Sequence, residues 1–346
     1  MEQIKPISSK RIPYLDTLRV LACLMVILVH SPHPHEGMTD ALSYGIISFI
    51  CSPCIGLFLM ISGALLLPIK TTIKEYLSKR LPRIIFPLIS WSLIYIIIAL
   101  CLGNISWDKG LQELINIPFG CVTGFAHGWY LYLLIGIYLI LPIFNSWLSD
   151  NGKQRSLFYL IFWAITLASP YFIAIIGKSI PHVFTYFTGF LGYVILGYYL
   201  HRYPIKLSTF KHWIIFISIT ICFGLIMPAI VYLSNIPNYD TYNLIIYNYQ
   251  AIHTVILCIF IFVCIQNFNP KSNKFQLFMN NISTLSFGIY LVNFTILRDI
   301  FKPYFVQNPV YPVELEIAIT FISSTILSYA IIWCINKLPF KKFLIG

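Results

Sequence analysis

Charge is what this sequence has least of. Of its 346 residues only 12 are acidic and 23 basic, about 10% in all, whereas 58% are hydrophobic. A water-soluble domain carries roughly a quarter charged residues to cover its surface, so a soluble globular fold is excluded. Also missing is the apolar–polar alternation over ~10 positions that a membrane β-barrel strand requires. No P-loop or Gly-x-Gly-x-x-Gly turn is present, which removes the usual phosphate and dinucleotide cradles, and no short-period repeat recurs. The nine cysteines follow no framework spacing, and most lie in apolar runs, where cysteine packs as a small hydrophobe. "CSPC" (Cys51, Cys54) has redox spacing, but it sits inside an apolar helix without a thioredoxin-like context and reads as packing.

What the chain does have is repeated apolar runs of about 20 residues, the length that crosses a ~30 Å hydrocarbon core. Mean hydropathy is +0.79. The expected fold is all-α and polytopic, with about ten spans near 14–31, 43–67, 84–102, 129–148, 157–177, 183–200, 213–233, 249–267, 285–303 and 313–336. "SPHPHEG" after the first run offers no small-residue cleavage site, so that run is expected to stay in the mature chain. No soluble appendage is expected, and residues 1–346 read as a single transmembrane domain.

If the N-terminus is cytoplasmic and the spans alternate, all but four of the 23 basic residues fall on the cytoplasmic side. The exceptions are Lys109, Lys178, Arg298 and Lys302. This is the positive-inside bias, and it predicts that both termini are cytoplasmic. The net charge of +11 is then topological, and no nucleic-acid partner is expected; the partner it implies is the lipid bilayer.

Polar residues inside the spans are where chemistry is sought. In "DTLRVLACLMVILVH", Arg19 and His30 lie eleven positions apart, three helical turns plus ~20°, on nearly one face and ~16 Å apart along the axis. Asp16 is one turn before Arg19, placed to pair with it. Pro32 and Pro34 should end the helix just past His30. Taken alone, the arginine reads equally as a snorkelling anchor and the histidine as an interfacial group. "HSPHPH" also raises a metal site through His30, His33 and His35, but two prolines in so short a run argue for an irregular loop, no carboxylate cluster stands beside it, and no metal is expected.

At "KRLPRIIFP", Arg80 and Arg83 share a helix face and can grip one anion together, at a helix start that favours anions. Lys70, Lys74 and Lys79 read as positive-inside residues touching anionic lipid. "FLMISGALLL" brings Ser62 and Gly63 into the second span, where small residues allow close packing. "HGWYLYLLIGIYLILP" opens the fourth span with His127, Trp129, Tyr130 and Tyr132, a pattern that fits interfacial anchoring. The ninth span carries Ser286, Tyr290 and Asn293, with Arg298 and Asp299 beyond; His253 in the eighth reads as a packing histidine.

Taken together, "YLDTLRVLACLMVILVH", "LFLMISGALLL", the Arg80-x-x-Arg83 pair, "WYLYLLIGIYLILP" and "ISTLSFGIYLV" resemble, in the same order, the acyltransferase 3 family of integral membrane acyltransferases. The fourth motif is similar to the branch that O-acetylates surface polysaccharides, which includes the enterobacterial common antigen O-acetyltransferase. The resemblance implies a membrane O-acyltransferase, most simply an O-acetyltransferase, using acetyl-CoA or another acyl-CoA as donor and a hydroxyl of a cell-surface or lipid-linked glycan as acceptor. It implies His30 as general base, Arg19 oriented by Asp16 toward the CoA moiety, and Arg80 and Arg83 on CoA phosphates. Ser62, Trp129, Tyr290 and Asn293 are the implied substrate-binding residues. The family often has histidine at the position of Asn293, so here the chemistry rests on His30, and Asn293 is structural or substrate-positioning. Direct attack and a covalent acyl-histidine both remain open. The implied location is a bacterial inner or plasma membrane. The competing class is a transporter or flippase for a polysaccharide precursor, whose intramembrane charges would line a path.

Overall fold

The computed structural model describes residues 11–31, 38–226, 229–230, 248–268, 273–307 and 312–346. Among these every regular element is helical. The first is α1 (Pro13–His30), whose first turn holds a proline, pre-set for a helix start, and Asp16. Next come α2 (Met38–Cys51), α3 (Pro53–Leu66), α4 (Ile73–Arg80), α5 (Pro82–Cys101) and α6 (Trp107–Asn116). A 3-10 turn at Ala126–Gly128 leads into α7 (Trp129–Leu148), followed by α8 (Gly152–Leu167), α9 (Ser169–Ile176), α10 (Leu191–Arg202) and α11 (Phe210–Ile221). The remainder is α12 (Ile252–Asn267), α13 (Asn273–Ile296), α14 (Lys302–Gln307), α15 (Val313–Ile335) and α16 (Lys341–Leu344).

Seven stretches of described residues are long and apolar enough to cross a membrane: Pro13–His30, Gly45–Leu66, Ile73–Cys101, Ala126–Leu148, Gly152–Ile176, Lys274–Phe305 and Val313–Ile335. Phe210–Ile226 and Ile252–Asn267 are shorter apolar helices. The expected sixth span, 183–200, is instead a 3-10 turn at His182–Phe187 and the 12-residue α10. At ~1.5 Å per residue α10 rises only ~18 Å, too little to cross the hydrocarbon alone. The second span is divided at Ser52–Pro53, since proline lacks the N–H that would continue the ladder, and Ser52 Oγ donates to the Phe49 carbonyl at 2.8 Å. Pro82 and Pro170 divide the stretches containing α4–α5 and α8–α9 in the same way.

Apolar residues exposed on the molecule's flank, such as Ile89, Leu93 and Ile97 at four-residue spacing on α5, form the lipid-facing surface. Inside, α1 packs on α3, α12 and α13. Because lipid tails are as apolar as leucine, close approach between helices does the work of association. The tightest crossing is α3 on α10: a Cβ on Gly63 would lie 1.9 Å from the Val194 carbonyl oxygen, and one on Gly197 would lie 2.0 Å from that of Met60. The close packing expected at Ser62–Gly63 is thus Gly63 meeting backbone. Tyr14 Oη meets His201 Nδ1 at 2.5 Å and ties α1 to α10.

The nine cysteines are unpaired, and Cys51 and Cys54 are buried, in keeping with packing. His253 is fully buried, with Tyr171 Oη 2.7 Å from Nδ1 and Thr254 Oγ1 3.2 Å from Nε2. Its ring stacks on Phe49. It is a satisfied packing histidine.

Candidate active site

α1 and α13 run in the same direction and meet in three steps. At the lower step, Ser283 Oγ donates to Asp16 Oδ1 at 2.6 Å, and Arg19 Nη1 donates to Ser283 Oγ at 3.3 Å. Asp16 and Arg19 are themselves 3.9 Å apart. The expected pair therefore exists, but a hydroxyl from a residue 264 positions away closes it into a triad. Arg11 Nη2 donates to Thr284 Oγ1 at 3.2 Å at the same level. In the middle, Cys23 Sγ lies 3.6 Å from the Ser286 carbonyl. At the top, the His30 ring packs edge-on against Phe294, with centroids 5.4 Å apart.

A cavity of about 650 Å³ opens at the lower step. Arg11, Arg19 and Arg83 line it with Asp16 and the C-terminal Gly346, so basic side chains predominate at its mouth. Arg11 and Arg83 are exposed, Arg19 is half-buried, and the deepest lining rings, Tyr130 and Tyr290, are buried. Tyr290 lies seven residues along α13 from Ser283, a rise of ~10 Å. Ser62, Phe58, Leu134 and Tyr138 complete the walls between. Ser62 Oγ donates to the carbonyl of Phe58, one turn back.

Beyond this floor lies a second layer. Tyr290 Oη donates to the carbonyl oxygen of His127. The His127 ring is enclosed by Tyr95, Phe125, Tyr290 and Phe294, at centroid distances of 5.8, 4.8, 5.5 and 4.8 Å. Phe294 therefore touches both His30 and His127. His127 Nε2 is 3.4 Å from the Leu291 carbonyl oxygen. A carbonyl only accepts, so in the neutral ring Nε2 carries the proton and Nδ1 carries the lone pair. That Nδ1 is buried without a hydrogen-bond partner. Alongside, Arg298 forms a two-point pair with Asp299 at 2.6 and 2.7 Å and lies 5.5 Å from the Tyr95 ring. Gly124 permits this approach: its φ is +83°, and a Cβ there would meet Arg298 Nη1 at 2.0 Å.

Of the residues singled out from the sequence, Asp16, Arg19, Arg83, Ser62 and Tyr290 converge on one cavity. Arg80 is half-buried and is not among the lining residues. Trp129 is likewise outside the lining and packs on Phe190 and Tyr249. Asn293 is buried inside α13, its Nδ2 donating to the carbonyls of Ile289 and Tyr290, so it braces its own helix. His33 and His35 lie outside the described residues. Ser283 is not among the residues singled out from the sequence, and His127, whose place before an aromatic helix start fits interfacial anchoring, is instead enclosed by buried aromatic rings.

The family described as an acyltransferase domain matches residues 12–335. Comparison with curated proteins and with solved structures finds no match.

Proposed function

The chain belongs to the acyltransferase 3 family and is a membrane acyltransferase; from that premise we propose that it moves an acyl group, acetyl in the simplest case, from cytosolic acyl-CoA to a hydroxyl of a lipid-linked or surface glycan. The observation that carries this reading is the cavity, lined by three arginines and by Tyr130 and Tyr290; Tyr290 bonds the His127 carbonyl, and His30 and His127, joined through Phe294, lie just outside the lining.

Arg83 and Arg11 hold the CoA phosphates at the mouth as planar, multi-donor cations, and Arg80 adds only field. The Asp16–Ser283–Arg19 triad fixes the Arg19 guanidinium toward the donor. Pantetheine lies along Ser62 and Tyr138, and the thioester reaches the Tyr130–Tyr290 floor. His30 takes the proton of the acceptor hydroxyl as its oxygen attacks the thioester carbon. The C–S bond breaks, and the proton is passed on to the departing CoA sulfur, so atoms and charge balance. The ~16 Å rise from Arg19 to His30 separates donor anchoring from chemistry. Trp129 packs on Phe190 and Tyr249 beside the site, and Asn293 bonds back to the turn of α13 that carries Tyr290.

The chain crosses the bacterial inner or plasma membrane about ten times with both termini cytoplasmic, α10, α11 and α12 contributing to the crossings beyond the seven long ones. The bias of basic residues supports this orientation. The test is to express His30→Ala, Arg19→Ala and Arg83→Ala at matched membrane abundance and measure acyl transfer to surface glycan by mass. Loss in all three is expected. Full transfer by His30→Ala overturns the base assignment.

A further inference from the structure

α6 divides into three sectors, and none belongs to the acyl-transfer machinery. Trp107, Leu111, Leu114 and Ile115 fall at i, i+4, i+7 and i+8, on one side of the helix. Trp107 and Ile115 are 78% and 71% exposed, and Phe119 in the following turn is 85% exposed. Lys109, Gln112 and Asn116 occupy another sector and are also exposed. The third sector, Gly110 and Glu113, is buried against the protein, where a Cβ on Gly110 would lie 3.2 Å from the Leu100 side chain. A helix in water does not leave Trp, two Leu and Ile uncovered on one side, and this one is too short to span.

We propose that α6 and its following turn lie in the plane of the membrane, with Trp107, Leu111, Ile115 and Phe119 seated in the interface of the leaflet where α5 ends. The exposed apolar residues of α5 and its C-cap, Ile97 and Leu102, immediately precede the turn into α6, so the lipid-facing surface of α5 reaches the level at which α6 begins. Aromatic residues at both ends, Trp107 and Phe119, suit the headgroup boundary, and the opposed polar sector suits water. The seat also bears on the histidine layer. The Glu113 carboxylate accepts from Thr123 Oγ1 at 2.6 Å and from Thr123 N at 3.2 Å. Tyr132 Oη is 2.6 Å from the carbonyls of both Ile117 and Gly120. Lipid contact through α6 therefore holds the loop that carries Gly124, Phe125 and His127.

The membrane seat of α6 does not depend on acyl transfer, and it is tested without reading turnover. A nitroxide-bearing amino acid is incorporated at 111, 115 or 119, or at 109 or 112, in the full chain in lipid nanodiscs, leaving the native cysteines untouched. Each labelled chain is checked to melt with the unlabelled one. Collision with oxygen is expected to exceed collision with a water-soluble nickel chelate at 111, 115 and 119, and the order is expected to reverse at 109 and 112. Nickel-accessible 111, 115 and 119 overturn the proposal. So does exclusion of both agents with dipolar broadening between labels, the signature of a second copy on this face.

Discussion

Arg80 and Arg83 look alike in the sequence, three residues apart at a helix start, and the structure separates them. Arg83 lines the basic cavity with Arg11 and Arg19; Arg80 does not. A charge-assisted hydrogen bond contributes about 1.5–3 kcal/mol, and the lower end applies because Arg83 stays exposed and screened by water. Losing about 1.5 kcal/mol corresponds to roughly tenfold weaker binding. Arg83→Ala should therefore raise the acyl-CoA dissociation constant roughly tenfold, and Arg80→Ala should change it less than about threefold. The assay is equilibrium binding of acyl-CoA to purified protein in nanodiscs at low and high salt. The Arg83→Ala deficit should shrink as salt rises, because the lost interaction is ionic. Equal losses in the two variants, or an Arg83→Ala chain that binds normally, would refute the placement of the phosphate site.

Ser283→Ala removes the hydroxyl that donates to Asp16 and accepts from Arg19; acyl-CoA KM should rise several-fold with the fold intact, as read by steady-state kinetics beside a melting curve. Gly63→Leu drives a side chain into the Val194 backbone at the α3–α10 crossing; it should destabilise by more than the ~1–3 kcal/mol typical of overpacking, seen as a lowered Tm in detergent, whereas Gly136→Ala, with open space at its Cβ, should be neutral. His253→Ala strips the buried Tyr171 hydroxyl of its partner at about 1–3 kcal/mol, yet turnover per folded molecule should match the parent chain. A loss of turnover without a loss of stability would contradict its packing role.

The sequence carries the site's long axis better than its cross-section. Apolar run length and the Arg19–His30 spacing lie along one helix, where 3.6-residue periodicity is readable, and α7 and α15 fall almost where their runs predict. Partners between helices leave no such trace. Ser283 meets Asp16 and Arg19 across 264 or more residues of chain, and although it lies inside "ISTLSFGIYLV", nothing in that motif's spacing names its partners. His127 was hidden for a different reason: aromatic enrichment at a helix start is what interfacial anchoring produces, and the histidine merged with it. Arg80 and Arg83 show the limit of same-face reasoning: Arg80 ends α4 and Arg83 lies in α5, so the single helix face that their spacing implies is broken at Pro82, and only Arg83 lines the cavity. The shortness of α10 was masked by the apolar residues of the 3-10 turn before it, whose hydropathy completes a run of spanning length although its backbone does not.

In the proposed reaction a donor held at the basic mouth reacts at the histidine layer. The most direct measurement is release of free CoA thiol by the purified chain in nanodiscs, with acetyl-CoA and a lipid-linked glycan acceptor. The parent protein should release thiol and label the glycan in equal amounts. His30→Ala should bind acetyl-CoA as the parent does and release none. Glycan-lipid movement without thiol release by the parent chain, or undiminished release by His30→Ala, would contradict it.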